Sequence, residues 1–278
     1  MVPFPGAAFG VAGAAVSSLV AVAVGTIWLG MYFVKPSAYL HFVPRMWLPQ
    51  TALWGRMLKI GLPAGAEFGL MAVYLFIVYV ISRPFGAAAQ AGFGIGLRLV
   101  QAGFMPVVAL GFSVAPVAGQ NFGARLAQRV KPTFYIGAGL AAAARVVWGV
   151  ICYFGAAAMV RLFSADPQVI AVGDEYLRIV AWSFVGSGLI FVSSSMFQAI
   201  GNTLPPLAAS FARIVLVAVP AVAMSRMAGF ELRWIWYLSA WSVIFQVAAV
   251  LWLLQREFRA RLTPSVLVEP TPATARTT

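Results

Sequence analysis

The chain has 278 residues, of which 62% are hydrophobic and only 9% charged, and its mean hydropathy is +0.91. A water-soluble globular protein needs a polar exterior that this composition does not supply, so the sequence predicts an integral membrane protein. The net charge of +12 would favour nucleic acid in a soluble protein, but here the basic residues lie mostly in short loops, and we expect no nucleic-acid partner. The single cysteine, Cys152, and the single histidine, His41, exclude a disulfide or a His/Cys metal site within one chain, and we expect both to be packing residues.

Seven apolar runs are long enough to cross the hydrocarbon core of a bilayer as helices, which takes about 20 residues. They cover residues 9–33, 62–82, 93–117, 134–160, 178–199, 206–226 and 234–255. The first run follows MVPFPGAAFG, which has neither a basic region nor a polar stretch before a cleavage site, so we interpret it as a retained helix and not as a signal peptide. The sequence therefore predicts an all-α membrane protein with about seven transmembrane helices.

Lysine and arginine are distributed unevenly between alternate loops, and they favour the cytoplasmic side of a membrane. Ten of them lie on one side: Lys35, Arg45, Arg56, Lys59, Arg125, Arg129, Lys131, Arg256, Arg259 and Arg261. Four lie on the other: Arg83, Arg161, Arg226 and Arg233. The distribution predicts a multi-pass protein of the cell (inner) membrane, with its N-terminus outside and its C-terminus in the cytoplasm.

Three segments outside the apolar runs have their own character. Residues 38–60 interleave aromatic and basic side chains, which predicts an interfacial segment along the inner leaflet. Residues 164–175 look like a shorter counterpart on the outer side. The tail, residues 263–278, is rich in Pro and Thr, and we expect it to be disordered.

The second apolar run contains one carboxylate, Glu67, about 7 Å along the helix axis from the start of the run at Leu62. An ionisable group at such depth costs about 2.5 to 3.5 kcal/mol, so Glu67 should face protein or water, with Tyr74 on the same helical face. Apolar surroundings disfavour a charged carboxylate, so a proton or metal cation could bind and leave near neutral pH. The structural alternative is a permanent ion pair with Arg98 or Arg213, which also lie inside apolar runs.

Other polar residues within the runs are less specific. Arg178 follows Asp174 by four residues, the spacing of a helical ion pair. Arg145 has no partner that the sequence identifies. The prolines within the runs predict kinks or broken backbone hydrogen bonds, and they are Pro106, Pro116 and Pro220.

The fifth run carries a stripe of polar residues on one helical face. The stripe consists of Ser183, Ser187, Ser194 and Gln198, within about 60° of one another. Such a stripe either lines an aqueous path or hydrogen-bonds neighbouring helices together, and the sequence leaves both interpretations open. The chain has no phosphate-binding loop, no Ser/His/Asp set and no set of metal ligands, so we expect a transporter and not an enzyme, without a cofactor.

Three connecting segments resemble, in the right order, those of the multidrug and toxic compound extrusion (MATE) family. APVAGQNFGARL, residues 115–126, matches the family's Gly-Gln then Gly-Ala pattern through Gly119, Gln120, Gly123 and Ala124. LFSADPQVIAVGDEYLRI and FQAIGNTLPP resemble the connections before and after the family's tenth helix, and the second contains Gly201, Asn202 and Thr203. KIGLPAGAEFG, residues 59–69, resembles the start of its seventh helix, where many members have a functional carboxylate.

The resemblance implies a transporter with two bundles of six helices around a central cavity, exchanging small organic, cationic compounds for H⁺ or Na⁺. This chain then resembles the sixth helix (1–34), a cytoplasmic connection (35–60), the second bundle (61–262) and the tail. It implies that Glu67 is the coupling residue, and that Tyr74 and the polar stripe line the cavity. Sodium-coupled members often have an acid near the position of Ser187, and its absence here favours H⁺.

The family's first five helices have no counterpart in this sequence, so a missing N-terminal bundle or a homodimer is an expected partner besides the lipid bilayer. Two alternatives accompany the exporter hypothesis. One is a transport-inactive membrane fragment, and the other is a flippase for lipid-linked oligosaccharides from the same broad superfamily.

Overall fold

A computed structural model describes residues 10–34, 50–227 and 229–262, and in these ranges the chain consists of α-helices joined by short turns. The helices are α1 (Gly10–Val34), α2 (Thr51–Ser82), α3 (Gly86–Ala102), α4 (Met105–Gly123), α5 (Ala127–Arg161), α6 (Pro167–Ala181), α7 (Phe184–Ala199), α8 (Leu204–Met224) and α9 (Arg233–Arg261). A 3-10 turn, Arg83–Phe85, separates α2 from α3. The predicted disordered tail and residues 38–49 of the predicted interfacial segment lie outside the described residues.

The chain divides into two compact units, Met1–Gly55 and Arg56–Thr278. Within the first unit, α1 is apolar and has no charged residue, as a membrane-crossing helix requires. Residues 51–60, the end of the predicted interfacial segment, are the beginning of α2, which continues into the second unit. Across the described ranges six helical stretches are long and apolar enough to cross a membrane, and the bent pair α6 and α7 makes a seventh. The predicted all-α membrane fold is confirmed.

Two of the predicted spans are broken helices. Residues 93–117 contain the end of α3 and the start of α4, separated at Gly103 and Phe104. Pro106 lies in the first turn of α4, where a backbone N–H would have no intrahelical partner, so the proline costs the helix no hydrogen bond. The span predicted at 178–199 bends by 58° between α6 and α7. These breaks leave backbone polar groups within the membrane-crossing segments, and such groups need partners from protein or water.

The outer-side interfacial assignment of residues 164–175 is wrong for most of that segment. The Asp166 side chain accepts a hydrogen bond from the Gln168 N–H at 2.8 Å, and with Pro167 in the first turn it starts α6. Val169 and Gly173 are buried, and α6 packs against α3 and α5. The segment is thus the first half of a broken membrane span.

The second unit has two apolar clusters, one at each end of the helices. The first joins the ends of α2 and α5 to α3, α6 and the start of α9, around Phe93, Leu177 and Trp236. The second joins α4, α7 and the other ends of α5 and α9, around Val107 and Phe197. The break between α3 and α4 and the bend between α6 and α7 both fall where one cluster gives way to the other, which places them at middle depth along the helices.

Helix α2 is attached differently along its length. Its buried residues, Val78, Ile81 and Ser82, all lie in its last turns. Nearer its start, Glu67 and Ile60 reach the rest of the unit through hydrogen bonds to Ser194 and Thr203. One wall of the second unit is therefore held by apolar packing at one end and by polar contacts further along.

Candidate functional site

A cavity of about 350 Å³ lies among α2 to α9 in the second unit. Its lining includes the six side chains that the sequence nominates for coupling and for the cavity wall: Glu67, Tyr74, Ser183, Ser187, Ser194 and Gln198. Aromatic rings and aliphatic side chains supply most of the remaining wall, as in sites for small organic ligands. The fold thus brings the carboxylate of α2 and the polar stripe of α7 to the same space.

Glu67 is half-buried, and serine hydroxyls are its partners. Ser194 Oγ on α7 donates to Glu67 Oε1 at 2.9 Å, and Ser210 Oγ on α8 donates to the same oxygen at 3.2 Å. The described residues form three ion pairs, and Glu67 is in none of them. The permanent ion pair with Arg98 or Arg213 is therefore wrong, since Arg98 is exposed and Arg213 has other partners.

A chain of hydrogen bonds runs from Glu67 to an arginine. Ser210 Oγ accepts from Gln246 Nε2 at 2.9 Å, and Gln246 Oε1 accepts from Arg213 Nη1 at 3.3 Å. Arg213 Nε donates to Ser242 Oγ at 3.1 Å. Because Ser210 and Arg213 belong to α8 and Gln246 to α9, the chain links the carboxylate on α2 to two further helices.

Tyr74 lies two turns along α2 from Glu67 on the same helical face, and it also lines the cavity. Its hydroxyl is hydrogen-bonded to Ser239 Oγ on α9 at 2.6 Å. The guanidinium carbon of Arg213 lies 5.1 Å from the centre of the Tyr74 ring, within the range of a cation–π contact. Helix α2 therefore presents a carboxyl and a phenol to the cavity, and both are anchored to other helices.

The polar stripe of α7 joins neighbouring helices and also lies along the cavity wall. Ser194 bonds α7 to α2 through Glu67, and Ser187 Oγ accepts from Arg145 Nη2 on α5 at 3.1 Å, so two of its members join helices. Ser183 Oγ donates to the Val180 carbonyl at 2.7 Å, which satisfies an acceptor beside the break between α6 and α7. Gln198 lies on the cavity wall at the far end of the stripe.

The Gly-Gln and Gly-Ala residues lie at the end of α4, outside the cavity lining. Gly119 faces α7, where an added Cβ would lie 3.5 Å from the Ala199 carbonyl oxygen. The Ala124 N–H donates to the Gln120 carbonyl at 2.9 Å, and Arg125 follows with a left-handed φ of 59°. Gly123 is the last residue of the helix. This motif closes α4 and packs it against α7.

The second motif forms the turn between α7 and α8. Gly201 has a φ of 73°, a conformation that favours glycine. Asn202 Nδ2 donates to Glu257 Oε1 at 3.0 Å on α9, and Thr203 Oγ1 donates to the Ile60 carbonyl at 3.1 Å on α2. The turn is thereby tied to helices on both sides, and it also lies outside the cavity lining.

The predicted ion pair between Arg178 and Asp174 is confirmed, with Arg178 Nε 2.9 Å from Asp174 Oδ1. Ser210 and Gln246, which line the cavity and continue the hydrogen bonds from Glu67, were not predicted from the sequence. A signal existed for Gln246, because Ser239, Ser242 and Gln246 recur at helical spacing within the last apolar run.

Comparisons with known proteins agree with this architecture. The MatE family model matches residues 63–223, more than half of the chain. The chain is 28% identical over 192 residues to the multidrug export protein MepA of Staphylococcus haemolyticus, covering 69% of this chain and 42% of MepA. It is 26% identical over 215 residues to the probable multidrug resistance protein YpnP of Bacillus subtilis, covering 77% of this chain and 48% of YpnP.

Solved structures share the fold. An outward-facing multidrug resistance MATE family transporter of the MOP superfamily superposes with a TM-score of 0.84 at 20% identity, over 92% of this chain and 58% of that one. A MOP superfamily transporter from Pyrococcus furiosus, described as having a binding pocket of reverse polarity, gives 0.83 at 21% identity over the same shares.

The fold and the apolar helices define a multi-pass membrane protein. The chain belongs to the MatE family, that of the multidrug and toxic compound extrusion transporters. It spans about half the length of the curated relatives that it matches.

Proposed function

We propose that the chain supplies one half of an antiporter that expels small amphipathic organic compounds in exchange for H⁺ or Na⁺, with Glu67 as the coupling residue. The observation that carries the proposal is a half-buried carboxylate on a cavity wall whose partners are hydroxyl groups and not cations. A neighbouring guanidinium would neutralise Glu67 permanently, whereas hydroxyl partners leave its charge available to an exchangeable ion.

Either coupling ion is compatible with the groups around Glu67, and the proton is favoured. Hard cations bind several oxygen ligands, and the two carboxylate oxygens with Ser194 and Ser210 offer a small oxygen set. Glu67 is the one acidic residue of the described cavity lining, so a site built on two carboxylates is not available there. A proton needs a single carboxylate and no further ligand.

Loading Glu67 changes the contacts that hold α2. The ionised carboxylate accepts charge-assisted hydrogen bonds from α7 and α8, and neutralising it weakens both. Since α2 is anchored by apolar packing mainly in its last turns, its part near Glu67 depends on these polar contacts. Ion binding thus favours one arrangement of α2 and ion release the other, which is the two-state equilibrium that alternating access requires.

A cationic group on the substrate would compete with the coupling ion for Glu67, which fits exchange of one for the other. A second bundle, from a missing N-terminal part or from another copy of the chain, would close the cavity from the opposite side. The protein would lie in the cell (inner) membrane with its C-terminus in the cytoplasm, as the distribution of lysine and arginine favours.

The test is Glu67→Gln, a nearly isosteric change that removes the titratable group. The native protein is reconstituted in liposomes, and movement of a fluorescent amphipathic dye is followed under an imposed pH or Na⁺ gradient. We expect the wild type to respond to one of the gradients and Glu67→Gln to lose that response, with normal membrane insertion.

The matched control is Glu175→Gln, the same change at an exposed carboxylate of α6. It should keep the ion-stimulated rate. A Glu67→Gln variant that still responds to the gradient would sink the assignment of the coupling residue. A wild-type protein that moves no dye under either gradient would instead favour a transport-inactive fragment, and movement of a lipid-linked oligosaccharide alone would favour the flippase.

A further inference from the structure

Arg145 is a buried cation with an incomplete set of partners. Its side chain is only 1% exposed, yet it lies in the wall of the cavity. Nε donates to the Phe184 carbonyl at 3.1 Å and Nη2 donates to Ser187 Oγ at 3.1 Å, whereas Nη1 is buried and has no partner. Its guanidinium carbon lies 4.1 Å from the centre of the Phe184 ring and 5.3 Å from that of Phe104.

No carboxylate of the described residues neutralises this charge. The ion pairs in these ranges use Arg178, Arg233 and Arg261. An arginine keeps its proton in proteins, and a buried cation without an anion is unfavourable. A purely structural arginine, placed to cap the break between α6 and α7, would be expected to have all its donors engaged. The free Nη1 indicates that the site is completed by a group from outside these residues.

The position of Arg145 places it deep in the cavity. On α5 it lies between Ala141, which belongs to one apolar cluster, and Trp148, which packs against the other. Its partner Ser187 and the Glu67 partner Ser194 are seven residues apart on one face of α7, which corresponds to about 10 Å along the helix. Arg145 and Glu67 are therefore held at two levels of the same wall.

The charge of the lining also favours an anion. Among the described residues of the cavity wall, Glu67 is acidic and Arg145 and Arg213 are basic. The wall carries a net positive charge when Glu67 is ionised, and a larger one when an ion neutralises it. Arg213 donates to both Ser242 and Gln246, whereas Arg145 has a buried nitrogen without a partner among the described residues.

We infer that Arg145, with Ser187 and the rings of Phe104 and Phe184, forms a subsite for an anionic group of an amphipathic substrate, a carboxylate or a sulfonate. Nη1 is buried in the arrangement described, so such a group reaches it only after a neighbouring ring moves aside. Nη1 and the Nη2 that now meets Ser187 then form a planar fork for two oxygens of the group. The inference rests on the proposed function, because it assigns the substrate to the transport cavity. A substrate that also carries a cationic group could meet Arg145 and Glu67 together.

The test measures equilibrium binding to the purified full chain in lipid nanodiscs, with naphthalene-2-sulfonate and the neutral naphthalene-2-methanol as matched probes. We expect the wild type to bind the sulfonate about tenfold more tightly than the alcohol. Arg145→Gln should abolish this preference while binding of the alcohol stays the same. Arg161→Gln, the same change at an exposed arginine that ends α5 outside the cavity lining, should keep it.

Four results would overturn the subsite: no preference in the wild type, an unchanged preference in Arg145→Gln, an equal loss in Arg161→Gln, or equal weakening of both probes in Arg145→Gln. The last would mark Arg145 as a structural residue. If Arg145→Gln does not fold, Arg145→Lys keeps the charge without the planar fork. It should weaken sulfonate binding severalfold and spare the alcohol, and unchanged sulfonate binding would contradict the inference.

Failure of the inference is distinguishable from failure of the proposed function because binding requires no transport. If the wild type prefers the sulfonate through Arg145 but moves no dye, the result supports the subsite and contradicts the antiport proposal. A wild type with Glu67-dependent antiport and no preference for the sulfonate retains the antiport and loses the subsite.

Discussion

Two glutamates of the second unit occupy opposite environments. Glu257, near the end of α9, lies 2.6 Å from Arg261 Nε and accepts from Asn202 at 3.0 Å, while Arg261 also donates to the Ile200 carbonyl at 3.0 Å. Glu67 meets the hydroxyls of Ser194 and Ser210 and no cation. The first arrangement fixes the turn between α7 and α8. The second leaves a carboxylate without a paired cation, so the difference between them is the presence of a guanidinium.

The largest difference between the two glutamates should appear in their reactivity. A hydrophobic carbodiimide reacts with the protonated form of a carboxyl group, and the proton is the ion that we propose Glu67 to carry. Arg261 and Asn202 occupy the carboxylate of Glu257 and compete with the reagent. We expect labelling of Glu67 to be about tenfold faster, measured by mass spectrometry of the digested protein.

Glu67→Gln is the control for this labelling, since it should remove the modified peptide and leave the rest of the pattern unchanged. Protection of Glu67 by Na⁺ at constant pH would identify sodium as a competing ligand. Equal labelling of Glu67 and Glu257 would contradict the distinction between the two residues, because both would then behave as ordinary accessible carboxyls.

Substitution of Glu257 should affect stability and not ion coupling. Glu257→Gln removes the ion pair with Arg261, whose side chain is 43% exposed, so the loss of stability should be modest, about 1 kcal/mol. The melting temperature in detergent should fall while the ion-stimulated dye movement persists. Arg261→Gln and the double variant complete a cycle in which the two effects should not add. Loss of ion coupling in Glu257→Gln, with the fold intact, would contradict the distinction.

The sequence alone was sufficient to place Glu67, Tyr74 and the polar stripe of α7 on definite helix faces, although not to identify Ser210, because helical periodicity is a local property. One carboxylate in an apolar run, and serines at intervals of four and seven, place their side chains on definite faces, and the fold brings both faces to one cavity. The apolar content likewise predicted the all-helical membrane fold, which the MatE match and the structures with TM-scores above 0.8 support.

Contacts between distant helices were not accessible in this way. Arg145 is hydrogen-bonded to Phe184 and Ser187, which lie about forty positions away in the sequence, and no spacing rule connects residues so far apart. The breaks after α3 and α6 were missed because Gly103 and Ser183 interrupt runs that hydropathy treats as continuous. Pro106 signalled the first break, but a proline in an apolar run predicts a kink as readily as a new helix start.

The smallest effect is expected near the start of α2, at the hydrogen bond from Thr203 Oγ1 to the Ile60 carbonyl. Thr203→Val keeps the shape of the buried side chain and removes the donor, which should cost about 0.5 kcal/mol and leave ion coupling intact. Ser225→Ala is the control, because Ser225 is exposed and donates within its own turn. If Thr203→Val instead reduced ion-stimulated transport as strongly as Glu67→Gln, the start of α2 would take part in ion coupling. The turn between α7 and α8 would then belong to the coupling machinery and would not be only a structural connection.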